Sequence, residues 1–281
     1  MSPATARPDA IDPYTREVYC RALKTLDRAA VPFLVGGAYA FERYTAIARH
    51  TKDLDVFVHR RDLGRVFELL SAAGYRTELT FPHWLGKALM GEALIDVIFG
   101  SGNGVAEVDD EWFAHGVDSE VLGVRVTLCP PEEMIWSKAF IMERERYDGA
   151  DIAHLLHARG TSLDWRRLLT RFGPHWRVLL SHLTLFGFIY PAERSRIPAE
   201  VMREFLRRLE GELGRSSPEE RLCQGTLLSR EQYLVDVMQW GFRDARLFPR
   251  GAMTMGEVAQ WTAAIEVHGD SDGNRPTCGD R

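Results

Sequence analysis

Residues 31–35 read Val-Pro-Phe-Leu-Val, a short apolar, β-branched run that passes into Gly36-Gly37 and then into AYAFERY, whose spacing suits a helix. The unit is strand, glycine turn, helix. Ahead of it, Asp12-Pro13 is a cap with proline in the first turn. Val18, Leu23 and Leu26 then recur at helical spacing up to about Ala30. In HTKDLDVFV, residues 50–58, the alternation is that of a strand. Leu54, Val56 and Val58 take the core face, and Asp53 and Asp55 share the other. Asp62 is placed to cap a helix through Leu70 that stops at Gly74, with Val66, Leu69 and Leu70 inward. WLGKALM and ALIDVIFG flank Gly91-Glu92 as a β-hairpin, with Leu94, Asp96 and Ile98 on one face of its second strand. SGNG (101–104) is a loop, and EVLGVRVTL is a strand or hairpin before Pro130-Pro131.

From Pro131 the periodicity becomes helical. PPEEMIWSKAFIMERER starts with proline and acids and places Met134, Ile135, Lys138 and Ile141 at helical spacing. DGADIAHLLHARG is a second helix ending at Gly160, and amphipathic segments follow around 164–172, 175–189, 198–212 and 229–240. The expected fold class is α/β (α+β), with a mixed sheet flanked by helices followed by an all-helical C-terminal domain. The expected division is 1–130, 131–268 and a frayed polar tail at 269–281, with residues 1–11 a loose leader.

Composition narrows the class further. The 281 residues are 45% hydrophobic and 27% charged, which describes an ordinary globular protein. A net charge of -5 gives no global attraction to nucleic acid. Cys20, Cys129, Cys223 and Cys278 form no CxxC pair, so neither a zinc site nor a disulfide framework is indicated. With no signal-peptide core and no membrane-spanning run, the expected location is the cytoplasm.

Candidate chemistry gathers in the first half. A Gly-Gly turn at a helix start lets backbone N–H groups approach a phosphate. Asp53 and Asp55 repel one another unless a cation lies between them, and Asp96 is the one charged residue within ALIDVIFG. Three convergent carboxylates form the oxygen ligand set of Mg²⁺ or Mn²⁺ carrying an NTP. Asp53 and Asp55 are expected to ligate two such ions. Asp96 is expected to ligate the one at the attacking hydroxyl and to accept its proton. Alone, the glycine pair is a turn and the acidic pair an edge strand; the conjunction carries the inference.

FLVGGAYAFERY, TKDLDVFV and LIDVIFG, in that order, resemble the signature of the DNA polymerase β-type nucleotidyltransferase superfamily. The likeness is to its small stand-alone branch of minimal, AbiEii-like and antibiotic nucleotidyltransferases, over roughly residues 31–160. It implies Gly36, Gly37, Asp53, Asp55 and Asp96 as the nucleotide and metal site. TKD, and a helix lysine followed by R-x-D-x-x-D, here Lys138 and Arg146-Tyr-Asp148-Gly-Ala-Asp151, are typical of AbiEii-like members and imply Lys138 near the triphosphate. As a single lysine on an amphipathic helix, Lys138 equally suits a solvated role. Arg49, His50 and Lys52 could steer a triphosphate or form a solvated approach to the strand. Asp148 and Asp151 are expected to cap the next helix, His154 and His157 to lie on a helix surface, and MERERYD to be a solvated helix face. Trp165, Phe172, Trp176, Phe186 and Phe188 read as core. The expected activity is transfer of an NMP to an acceptor hydroxyl on a small molecule, an RNA end or a protein. The alternative is a non-turnover nucleotide- or partner-binding module of toxin–antitoxin type.

Overall fold

The computed structural model describes residues 11–49, 51–216 and 219–264. Asp12 accepts from Thr15 N (2.9 Å) and starts α1 (Pro13–Arg28). A two-residue strand, β1 (Leu34–Val35), leads through the glycine pair into α2 (Gly37–Thr45), and β2 (Asp53–Phe57) follows. Next come α3 (Leu63–Ala72), β3 (Arg76–Phe81), β4 (Leu85–Met90) and β5 (Ala93–Ile98). Then α4 (Asp110–Ala114) precedes the hairpin β6 (Val117–Val121) and β7 (Val124–Leu128). Asp62 sits at the start of α3, but its side chain makes no cap; it lies 3.5 Å from His59 instead.

These seven strands form one mixed sheet in the order β3-β4-β5-β2-β1-β7-β6. The β4–β5 hairpin closes as its two-residue turn requires, with Met90 opposite Ala93. The β2–β5 pair is parallel, which demands a long crossover and brings distant segments side by side. One sheet face is apolar: Leu54, Val56, Ile95 and Val97 are at most 1% exposed and share a core with Val18, Leu23, Val66 and Leu70 of α1 and α3. The other face carries the acids.

Beyond the sheet the chain is helical: α5 (Pro131–Lys138), α6 (Gly149–Arg159), α7 (Trp165–Phe172), α8 (Trp176–Ile189) and α9 (Ala199–Leu213). Helix α6 packs on both α2 and α5, and buried residues from Val18 to Ala245 form one cluster. The switch near 128–131 is thus a change of element type within a continuous core. Buried Glu132 and Glu133 of α5 receive Arg167 of α7, and Arg171 reaches Glu133 (3.0 Å) and Asp109 (2.6 Å). Such charges are tolerated in a core only when paired.

Several helical expectations change. Helix α5 stops at Lys138, and MERERYD forms a turn closed by a Met142–Tyr147 bridge, because partners elsewhere in the fold take its backbone and charged groups. Around 229–240 only α10 (Leu234–Met238) is helical, and β8 (Leu222–Cys223) pairs in parallel with β9 (Arg243–Asp244). Helix α11 (Met255–Ala263), closed by a Thr254/Glu257 capping box, completes the described chain and returns to β3. Phe188 is 83% exposed while Phe186 is buried; two residues apart on a helix, the rings must face nearly opposite ways. The leader at 1–10, His50, Cys278 and the tail at 269–281 lie outside the described residues.

Candidate active site

The parallel register of β2 and β5 sets Asp55 directly beside Asp96 and Asp53 beside Leu94. Three carboxylates therefore share one strip of sheet. Each of the three residues remains partly exposed, while the alternate positions are buried. Thr51 Oγ1 donates to Asp53 Oδ1 at 2.6 Å, which orients that carboxylate. Among the described residues Asp96 Oδ1 is buried with no hydrogen-bond partner. An acceptor shut from water without a donor is costly, so this atom suits a ligand.

The glycine turn abuts the same strip. Gly36 N donates to Asp55 O (3.0 Å), and Gly37 adopts φ +52° directly against the Asp55 carboxylate, where a Cβ would overlap Oδ2. Glycine is required twice here, for conformation and for space. No side chain among the described residues caps α2, so the donors of its first turn are available to an anion next to the carboxylates.

Burial pushes the Asp55 carboxyl up to about 7; the charges of Asp53 and Asp96 add to the rise, and Lys138 and Arg146 oppose it. Burial also raises Asp96, to about 6, against the pull of Lys87, which faces it across the β4–β5 hairpin. The site thus holds unbalanced negative charge. Among the described residues no three His, Cys, Asp or Glu side chains close into a cage able to hold a metal by themselves. The donors present suit Mg²⁺ nonetheless. That ion keeps several waters and is commonly held by one or two carboxylates together with substrate phosphates.

The cations stand on the α5–α6 side. Lys138 Nζ lies between Asp148 (2.7 Å) and Asp151 (2.9 Å), and Arg146 grips Asp148 through Nε and Nη2 (3.0 Å each). Asp148 occupies the position before α6 without capping it, because its carboxylate is engaged by these cations; burial raises its pKa, but Arg146 and Lys138 outweigh that and hold it below the usual carboxylate value. Asp151 likewise pairs with Lys138 and Arg49. Arg49 also lies over Phe41 (4.2 Å), so it braces α2 against α6, while Lys52 is exposed. His154 and His157 are partly buried against Phe41 and Tyr190, not surface groups.

Structure therefore brings Gly36, Gly37, Asp53, Asp55 and Asp96 together, while Lys138 is ion-paired to Asp148 and Asp151 at the start of α6. Lys87 escaped notice in the sequence, although the Gly91-Glu92 turn fixes its position: counting back from Met90 opposite Ala93 puts Lys87 opposite Asp96. The orienting hydroxyl of Thr51 was visible only as part of TKD.

The sequence profile of a family described as uncharacterised nucleotidyltransferase matches residues 20–175, more than half of the chain and all of the strip just described. The chain belongs to this nucleotidyltransferase family. The match runs through α7, so Lys138, Arg146 and Asp148 lie inside it and everything from α8 onward lies outside. No curated protein matches the chain. Among solved structures, the antibiotic-resistance factor ANT(2'')-Ia is 16% identical with a TM-score of 0.39, over 72% of this chain and 98% of its own. The lincosamide antibiotic adenylyltransferase LnuA is 14% identical with a TM-score of 0.37, over 50% and 94%. A Helicobacter pylori protein is 13% identical with a TM-score of 0.38, over 72% and 100%. Among the described residues no helix is long and apolar enough to cross a membrane.

Proposed function

We propose that this nucleotidyltransferase moves a nucleoside monophosphate from an NTP to an acceptor hydroxyl, releasing pyrophosphate, with Mg²⁺ or Mn²⁺ held by Asp53, Asp55 and Asp96. The register that sets Asp55 beside Asp96, with Asp53 on the same strip, carries this reading. An oxygen-only donor set and the unpartnered Asp96 Oδ1 support a hard cation. When bound, the ion neutralises triphosphate charge and lowers the pKa of the acceptor hydroxyl.

The chain's own groups divide the remaining work. Donors of the first turn of α2 bind phosphate oxygens beside the Gly36-Gly37 turn. Thr51 keeps Asp53 oriented, and the Asp96 carboxylate accepts the proton of the attacking hydroxyl. Lys138 and Arg146 offset the negative charge brought by the triphosphate. The helices from α5 onward close over the acceptor, which is a small molecule, an RNA end or a protein. A net charge of -5 favours a compact acceptor over a long nucleic-acid footprint. Free Cys20, Cys129 and Cys223 suit the cytoplasm, where NTPs and Mg²⁺ are supplied.

Titration calorimetry with a nonhydrolysable NTP is expected to show Mg²⁺-dependent binding that weakens at least about tenfold in Asp53→Ala. Asp96→Asn is expected to keep much of the nucleotide affinity and lose transfer. Unchanged binding in Asp53→Ala overturns the site assignment, and full transfer in Asp96→Asn removes its role with the proton. Incubation of labelled ATP, GTP, CTP and UTP with cell extract, followed by separation of protein, RNA and small molecules, identifies the acceptor. Nucleotide binding with label in none of these fractions points to a non-turnover module.

A further inference from the structure

We infer that Arg230, in the part of the chain beyond the family match, is a positioning residue that holds the 142–147 turn, and with it Arg146, against the carboxylate strip. The inference rests on the proposed function, since it assigns Arg146 a place beside bound nucleotide.

The turn has two working sides. On one, Arg146 grips Asp148, which also takes Lys138 (2.7 Å) and stands at the start of α6, the helix that packs on α2 and so on the element carrying the glycine turn. On the other, Met142 N donates to Leu228 O (3.1 Å), and Arg230 donates to both oxygens of Glu143, Nε to Oε1 at 2.7 Å and Nη2 to Oε2 at 2.9 Å. Glu143 N in turn donates to Arg146 O (2.8 Å), so the residue that Arg230 grips is hydrogen-bonded to the residue beside the site. The pair is mostly covered, with side chains 24% and 15% exposed. A two-point Arg–carboxylate fork in that setting fixes orientation as well as distance, unlike an exposed ion pair.

Arg230 is itself anchored. Its guanidinium lies 4.3 Å from the Trp261 ring centre, and Trp261 packs edge-on against Phe81 (4.9 Å) and Trp84 (5.2 Å) at the β3–β4 edge of the sheet. Gly102 leaves that ring its space, because a Cβ there would collide with it. Asn103 Nδ2 donates to Leu227 O (2.8 Å), and Gln260 Nε2 to Thr80 O (3.0 Å). The segment from residue 219 to 264 is therefore bolted to the sheet at one end and grips the turn at the other. Its fork keeps Arg146 in register with a sheet to which the turn is not itself hydrogen-bonded as a strand.

The test has two arms in the full-length chain. In hydrogen exchange, Arg230→Ala is expected to speed exchange of Glu143 and Asp148 amides roughly tenfold while β2 and β5 keep their protection. In calorimetry with Mg²⁺ and a nonhydrolysable ATP analogue, the same variant is expected to raise Kd roughly tenfold; in an Arg146→Gln background it adds less than about twofold. Arg230→Lys, which keeps the charge without the fork, falls between. Should Arg230→Ala fail to fold, Glu143→Gln breaks the same fork from the other end. Unchanged amide exchange overturns the inference. So does a loosened turn with unchanged Kd, or a Kd loss that simply adds to that of Arg146→Gln. A wild-type chain that binds no nucleotide defeats the proposed function instead, and the exchange arm still decides whether Arg230 holds the turn.

Discussion

In metal-free buffer near neutral pH, Asp55→Asn is expected to unfold at a higher temperature than the wild-type chain and to lose at least about 100-fold in transfer activity. Burial and the neighbouring Asp53 and Asp96 push the Asp55 carboxyl up to about 7, so at neutral pH the fold holds a charge that it disfavours. The sign follows from proton counting. Between the unfolded value near 4 and the folded value near 7, the native state binds more protons than the unfolded one, so stability falls as pH rises through that window. Asp96, raised to about 6, adds to the same slope over the lower part of the window. Asparagine removes the charge at nearly constant volume, and the Asp55 side chain makes no hydrogen bond among the described residues that the change would break. The gain is on the order of 2 kcal/mol after allowance for solvent screening. Calorimetric scans of both proteins from pH 4 to 8 check it: the curves should meet near the acid end and part towards neutrality. A variant less stable than wild type at neutral pH defeats the account.

Gly37→Ala is expected to damage both fold and site. The residue adopts φ +52°, a region costing an alanine about 1–2 kcal/mol, and its Cβ would overlap Asp55 Oδ2. Relief requires the Asp55 carboxylate or the start of α2 to move, and a displacement of about 1 Å in a reacting constellation costs roughly 100-fold in rate. Denaturant unfolding is expected to show a loss of roughly 2 kcal/mol or more, with nucleotide affinity falling in parallel. Gly64→Ala in α3 is the control: no atom lies within 4 Å of its Cβ and its φ is ordinary, so it should be neutral or slightly stabilising. Equal behaviour of the two variants would remove the steric argument.

Much of this site was legible in the chain because its local rules are strong. Period-two alternation fixed which side of β2 bears Asp53 and Asp55, and a two-residue turn fixed the hairpin that presents Asp96. The nucleotidyltransferase family followed from these three motifs in order, and the profile match agrees. What alternation cannot state is which strands become neighbours: the Asp55–Asp96 pairing belongs to a parallel ladder closed across α3, β3 and β4. The charge run at 142–148 departs from its expected helix for a related reason. Helical propensity favoured a continuous helix, while the partners that break it, Leu228 and Arg230, lie far along the chain. Asp148 and Asp151 were good cap residues by type, but two cations within reach outbid the weaker cap interaction. Lys138 shows the converse. Its spacing placed it on the right helix, but only the fold shows that it carries two carboxylates of its own.

The parallel pairing of β2 with β5 also sets an order of events as the chain emerges from the ribosome. Asp53, Asp55 and the glycine turn can be in place early, but Asp96 joins them only after α3 and the β3–β4 ladder have been synthesised and the crossover has closed. A chain that ends before β5 therefore carries the glycine turn and the two acids of β2 without the third carboxylate that the ladder sets beside Asp55.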